Sequence, residues 1–168
     1  MDEPEAPAMI TYRAIGVVRS PFTSVDGMPL QSVAARDVRG RIEIYAQFAA
    51  GLNDLDGFSH LHLLTHLHRG SKGRLIVMPF LDDTPRGVFA TRSPRHPNPI
   101  GLSVVRLVAV AGTTLEISGV DLVDLTPVLD IKPYVPEFDA VEAERAGWFD
   151  TVVGRVHHTR SDARFEEG

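Results

Sequence analysis

GRIEIYAQF, residues 40–48, alternates apolar and polar side chains without a break. Ile42, Ile44, Ala46 and Phe48 fall on one side of an extended chain, and Arg41, Glu43, Tyr45 and Gln47 on the other. A period of two is the pattern of a half-buried strand. Working outward, residues 11–19 put Ile15 and Val17 on one side and end at Ser20-Pro21. Residues 58–68, the apolar run 75–80, and residues 128–134 between Pro127 and Pro133 read as further strands. Residues 100–110 and 114–121 form a hairpin across Ala111-Gly112-Thr113, and 152–158 reads as a last strand. Residues 22–37 are a long loop, and short helical turns fit within 48–55 and 135–147. Short strands, Gly/Pro turns and almost no 3.6-residue period predict an all-β (mainly β) sandwich or barrel with one or two short helices. We expect one domain over residues 10–160, with a disordered tail at 1–9 and a frayed tail at 161–168.

The chain has 168 residues, 43% hydrophobic and 23% charged, enough for one real core. It contains no cysteine, which excludes a disulfide scaffold, thiolate metal ligands and a cysteine nucleophile. The first nine residues show no secretory pattern, and the apolar run 102–111 is short and broken by Arg106, so a cytoplasmic, non-membrane protein is expected. Net charge is −5. Between residues 69 and 95, however, six basic side chains (Arg69, Lys72, Arg74, Arg86, Arg92, Arg95) face two acidic ones (Asp82, Asp83). Such a local excess suits phosphate, or is simply a solvated surface.

Residues 87–103, GVFATRSPRHPNPIGLS, answer to no core-building demand. Pro94, Pro97 and Pro99 fix φ and remove backbone donors, so neither a helix nor a central strand forms there. A stiff loop carrying Arg92, Arg95, His96 and Asn98 between the runs 87–91 and 100–110, read as buried strands, is either a Pro-rich surface turn or, the favoured reading, the place where a scaffold presents chemistry. The motifs of doubly wound nucleotide folds, P-loops, α/β-hydrolases, zincins and kinases are absent.

Two further groups stand out. His60, His62, His66 and His68 share one face of a strand, which suits either a metal ion or the wall of a polar pocket. After Asp121 and Asp124, the strand 128–134 places Asp130, Lys132 and Tyr134 on one face. That trio fits proton handling and anion binding, or a cross-strand ion pair beside a half-exposed tyrosine.

Taken in order, IGVVRSPF (15–22), MPLQ (28–31), GLNDLDGFSHLHLL (51–64), GVFATRSPRHPNPIGLS (87–103) and GVDLVDLTPVLDIKPYVP (119–136) resemble the TsaA-like, or TrmO, family of tRNA N6-adenosine methyltransferases. The resemblance spans residues 12–140. It implies a single small β-barrel domain, S-adenosyl-L-methionine as cofactor, a homodimer, and methylation of N6 of threonylcarbamoyladenosine beside the tRNA anticodon. By position it implies a cofactor pocket from Pro29, Leu30, Gln31, His68, Arg69, Arg92, Leu102, Ser118, Gly119, Val120, Asp121 and Leu122. The histidine face then becomes pocket wall. The chain departs from the family pattern at Leu30 and His96, where arginine is common, and at Leu125, where glycine is common.

On this reading Arg92, with its planar fork, pairs with a carboxylate of the cofactor or of the modified base. Asp130 is the first candidate to assist loss of the acceptor proton, then Tyr134, with Lys132 as an anion holder. Arg69, Lys72, Arg74 and Arg95 are the expected tRNA-backbone contacts. The alternatives are a non-catalytic S-adenosyl-L-methionine sensor, a small-molecule methyltransferase, and a metal-dependent β-barrel enzyme using the histidine face.

Overall fold

The computed structural model describes residues 9–70, 72–152 and 157–162. Its strands are β1 (Gly16–Arg19), β2 (Arg39–Ile44), β3 (His60–His66), β4 (Ile76–Val77), β5 (Arg86–Gly87), β6 (Ile100–Ala111), β7 (Thr114–Ser118) and β8 (Pro127–Pro133). Six of them close into an antiparallel barrel in the order β1-β2-β7-β6-β3-β8, with β8 pairing back onto β1; β4 and β5 form a separate two-stranded sheet. The all-β fold expected from the alternation, and the single barrel that the resemblance implied, are borne out. One short helix, α1 (Pro136–Asp139), starts with proline in its first turn, and the Asp139 carboxylate accepts a hydrogen bond from Val135 N at 2.7 Å.

Alternation decides the interior. Val18, Ile42, Ile44, Leu61, Leu63, Val105, Leu107, Leu115, Ile117 and Val128 point inward, joined by Val120 and Leu122 from the segment after β7. Each buried aliphatic side chain of this kind stabilises the fold by about 1.5–3 kcal/mol. A barrel filled by such residues has no room for a ligand, so chemistry must sit at an end or on the outer wall.

The antiparallel order fixes which end. The connections β1–β2 (20–38), β3–β6 (67–99) and β7–β8 (119–126) all leave the same end of the barrel, and the proline-stiffened loop lies in one of them. At that end β6 must begin with glycine in its second position. A Cβ on Gly101 would lie 2.5 Å from Thr65 Oγ1 and 2.9 Å from Leu67 Cδ2.

Several expected elements are shorter than the pattern indicated. β2 ends at Ile44 because β1 offers no residue beyond Gly16, the partner of Ile44. Tyr45 N makes one more bond, to Ile15 O, and residues Ala46–Leu52 turn into a 3₁₀ segment that packs Phe48 and Leu52 against the core. The expected strand at 87–91 is only Gly87 of β5 followed by a 3₁₀ turn, Val88–Ala90. β6 is not a buried strand throughout: Ile100, Leu102, Val104 and Val108 lie exposed on its outer face. The long loop 22–37 contains a 3₁₀ turn, Ser32–Ala35, and Ser161 holds its start through Gly27 N→Ser161 O and Ser161 N→Met28 O, both 2.9 Å. The last expected strand, 152–158, falls largely outside the described residues, and Val152, His157 and His158 are not extended.

Candidate functional site

The proline-stiffened loop owes its shape to alternation of another kind. Thr91, Ser93 and Arg95 turn inward and are buried, while Arg92 turns out. Thr91 Oγ1 donates to Val88 O at 2.7 Å and accepts from Ser93 N at 3.3 Å; Ser93 Oγ accepts from Arg95 N at 3.2 Å. His96 Nε2 lies 3.1 Å from Thr91 O. Short side chains bonded to neighbouring backbone replace the ladder that proline forbids. Leu67 and Arg74 lie against this loop, through Leu67 N→Pro99 O at 2.8 Å and Arg74 N→Arg95 O at 2.9 Å.

Arg92 reaches the long loop from β1, where its Nη1 donates to Gln31 Oε1 at 2.9 Å. Beside that contact, Ser103 occupies an inward position of β6 and donates from Oγ to Asp121 Oδ1 at 2.7 Å. Asp121 follows Gly119, whose φ of +90° lets the chain double back after β7. Burial pushes the Asp121 carboxyl up to about 6; the hydrogen bonds from Ser103 Oγ, its own N–H and Ser32 N–H, and the charge of Arg92, pull the other way without cancelling it. The folded chain thus joins Gln31, Ser32, Arg92, Ser103, Gly119 and Asp121 at the loop-bearing end.

The remaining expected cofactor residues sit as follows. Pro29 is buried and bridges to Arg160, and Leu30 is half-buried. Ser118 is buried, and the side chains of Val120 and Leu122 belong to the barrel core, so only their backbone is available to a ligand. Leu102 points outward, away from Ser103. His68 lies past the end of β3, and burial, then the neighbouring Arg69 and His66, hold its pKa down. Ser32 and Ser103 were not singled out from the sequence; Ser103, two residues from Gly101 on the inward side of β6, was the more legible of the two.

The Asp130, Lys132 and Tyr134 group is elsewhere, on the outer wall formed by β3 and β8. Register pairs His62 with Lys132 and Leu64 with Asp130, and Leu64 in turn with Leu102 of β6. Asp130 is therefore two strand spacings from Leu102, about 10 Å. Lys132 Nζ lies 2.9 Å from Asp130 Oδ2. Tyr134 sits against the rings of His62 and His60 at 5.3 and 6.4 Å, near the opposite end of the barrel.

The four histidines do not converge. His60 Nδ1 is 2.9 Å from Ser59 Oγ, and His62 Nε2 is 3.3 Å from Asp139 Oδ1. Among the described residues no three His, Asp or Glu side chains gather in a way that would hold a metal ion. Of the four expected backbone-binding cations, Arg69, Lys72 and Arg74 are exposed, whereas Arg95 is only 8% exposed and presents no surface to a phosphate.

Comparison with known proteins adds four findings. Residues 17–140 match the family model described as the tRNA-methyltransferase O N-terminal domain. A probable S-adenosyl-L-methionine-binding protein of Pyrococcus abyssi is 48% identical over 159 residues, covering 95% of this chain and 86% of that protein. The tRNA (adenine(37)-N6)-methyltransferase of Escherichia coli is 38% identical over 135 residues, covering 74% of this chain and 57% of the relative. The crystal structure of TrmO from Pseudomonas aeruginosa superposes with a TM-score of 0.70 at 40% identity, covering 84% of this chain and 63% of that one. The chain thus spans less than two thirds of the last two proteins.

Proposed function

The chain belongs to the tRNA-methyltransferase O family, and from that membership we propose that it transfers a methyl group from S-adenosyl-L-methionine to an adenosine in tRNA. We further propose that the acceptor is N6 of threonylcarbamoyladenosine next to the anticodon. The observation that carries this reading is the cluster of Gln31, Ser32, Arg92, Ser103 and Asp121, built from three loops at one end of a filled barrel.

The donor set fits a zwitterionic sulfonium. A largely buried carboxyl held by Ser103 and Ser32 complements a cation or a hydroxyl, and the exposed guanidinium of Arg92 complements a carboxylate. S-adenosyl-L-methionine, when bound, supplies the electrophilic methyl group. The chain's own residues align the partners, and alignment accounts for most of the acceleration in an in-line displacement. Arg92, fixed by Gln31, orients the carboxylate end. Pro29, Leu30, His68, Arg69 and the backbone of 118–122 surround the remainder; Leu102, on the outer face of β6, stands outside this group. The loop 87–103 is already rigid, so little entropy is lost on binding.

Tyr134 stands near the end of the barrel opposite the cofactor cluster; with Lys132 holding an anion, Asp130 is the group we assign to accept the acceptor proton. Its accessible position on the outer wall supports that role. Arg69, Lys72 and Arg74 contact the tRNA backbone. The exposed apolar row Ile100, Leu102, Val104 and Val108 supports a homodimer, because a second copy would cover it. No helix among the described residues is long and apolar enough to cross a membrane; a cytoplasmic location is part of the proposal and rests on the tRNA substrate.

Incubation with labelled S-adenosyl-L-methionine and total tRNA, followed by nucleoside analysis, tests the reading. Label in N6-methylated threonylcarbamoyladenosine supports it, and label in another nucleoside moves the acceptor. A second reading, a sensor that binds the cofactor without transferring methyl groups, is favoured by the name of the P. abyssi relative. Calorimetric binding without label in any RNA would select it.

A further inference from the structure

We propose that Phe89, edged by His96, is a stacking platform for an unpaired base of the tRNA anticodon loop. The inference rests on the RNA-substrate reading above and adds the surface that holds the RNA near the cofactor cluster. Phe89 is 76% exposed, yet it is not on a loose segment. The 3₁₀ turn Val88–Ala90 that carries it is anchored by buried Val88 and by Val88 N→Leu75 O at 2.9 Å. Thr91 Oγ1 bonds back to Val88 O at 2.7 Å, and Trp148 Nε1 donates to Ala90 O at 2.7 Å. Trp148 is itself fixed, stacked on Phe149 at 4.0 Å with the Arg86 guanidinium 5.5 Å from its ring centroid. A turn tied on both sides of Phe89 holds a large apolar ring out in water. No core or folding requirement accounts for that.

His96 meets the Phe89 ring at 5.8 Å with an interplanar angle of 66°, an edge-to-face contact that fixes the ring's orientation. The surroundings combine exposed aliphatic side chains, Leu75 and Ile76, with cations. The backbone of Gly73 lies against His96 and Pro97, and Arg74 N bonds to Arg95 O, so exposed Lys72 and Arg74 flank the platform. Arg92 stands three residues from Phe89, within about 11 Å along the chain, and touches the cofactor cluster through Gln31. An oriented aromatic face among cations is the arrangement that binds splayed bases of single-stranded RNA. A hydrophobic protein partner would not need the cations.

The test compares wild type with Phe89→Ala, Phe89→Leu and Phe89→Trp, reading kcat/KM for tRNA, cofactor Kd by calorimetry, and oligomeric state by sedimentation. Phe89→Ala should lower kcat/KM by roughly ten- to hundred-fold, with cofactor Kd and oligomeric state unchanged. Phe89→Trp should restore activity and Phe89→Leu should not. Wild-type activity in Phe89→Ala or full activity in Phe89→Leu overturns the platform, as does a loss accompanied by altered cofactor Kd or oligomeric state. If wild type itself labels no tRNA, the parent reading fails and takes the platform with it; an active wild type with an equally active Phe89→Ala refutes the platform alone.

Discussion

Asp121→Asn isolates the consequence of burying a carboxyl at the loop-bearing end. The folded pKa of about 6 stands against an ordinary value of 3.8, and each pKa unit corresponds to about 1.4 kcal/mol. Ionised Asp121 therefore costs the folded state about 3 kcal/mol. The sign follows from proton counting. Between about pH 4 and pH 6 the folded state holds more protons at this residue than the unfolded state, so its contribution to stability falls as pH rises through that window. Above it the full penalty applies. Asparagine cannot ionise and can still accept from Ser103 Oγ, although its amide group cannot accept from Ser32 N–H, which takes back about 1 kcal/mol. The variant should exceed wild type by about 2 kcal/mol at pH 7.5, and that advantage should vanish near pH 4.5. Urea unfolding followed by Trp148 fluorescence at both pH values measures it. A stability difference that is the same at both pH values, or larger in acid, refutes the argument that burial dominates Asp121.

Two other substitutions carry distinct expectations. Leu125 holds a left-handed φ of +65° while 48% exposed, so Leu125→Gly removes a strain of about 1–2 kcal/mol and loses part of it to unfolded-chain entropy; thermal unfolding should show a net gain of about 0.5–1 kcal/mol, and a destabilised variant contradicts the strain. Arg92→Ala should weaken cofactor binding by roughly tenfold or more, the loss of a charge-assisted hydrogen bond, with unfolding stability unchanged because the side chain is exposed; unchanged calorimetric Kd would remove Arg92 from the site.

The class of the fold was legible because alternation is a local property. Ile42 and Ile44 against Arg41 and Glu43, or Leu61 and Leu63 against His60 and His62, need only a period of two. Where strands end was not, since a strand stops where its partner does. Ala46 and Phe48 continue the pattern yet leave the sheet because β1 begins at Gly16. The same limit explains Arg95: as one of three prolines' neighbours it reads as surface, but the bonds of Thr91 and Ser93 turn it inward. The departures at His96 and Leu125 acquired meaning only in three dimensions, one as the partner of the Phe89 ring and the other as a strained left-handed residue.

By itself the chain determined that it would be a small β protein with a rigid, cation-bearing loop, and its motifs determined the family. Tertiary structure alone decided that Gln31, Arg92, Ser103 and Asp121 meet while Asp130, Lys132 and Tyr134 stand apart on the outer wall. The physical reason is closure. Side-chain alternation says which residues face in, but only the order in which six strands pair says which loops share an end and how far apart two residues on the wall must lie.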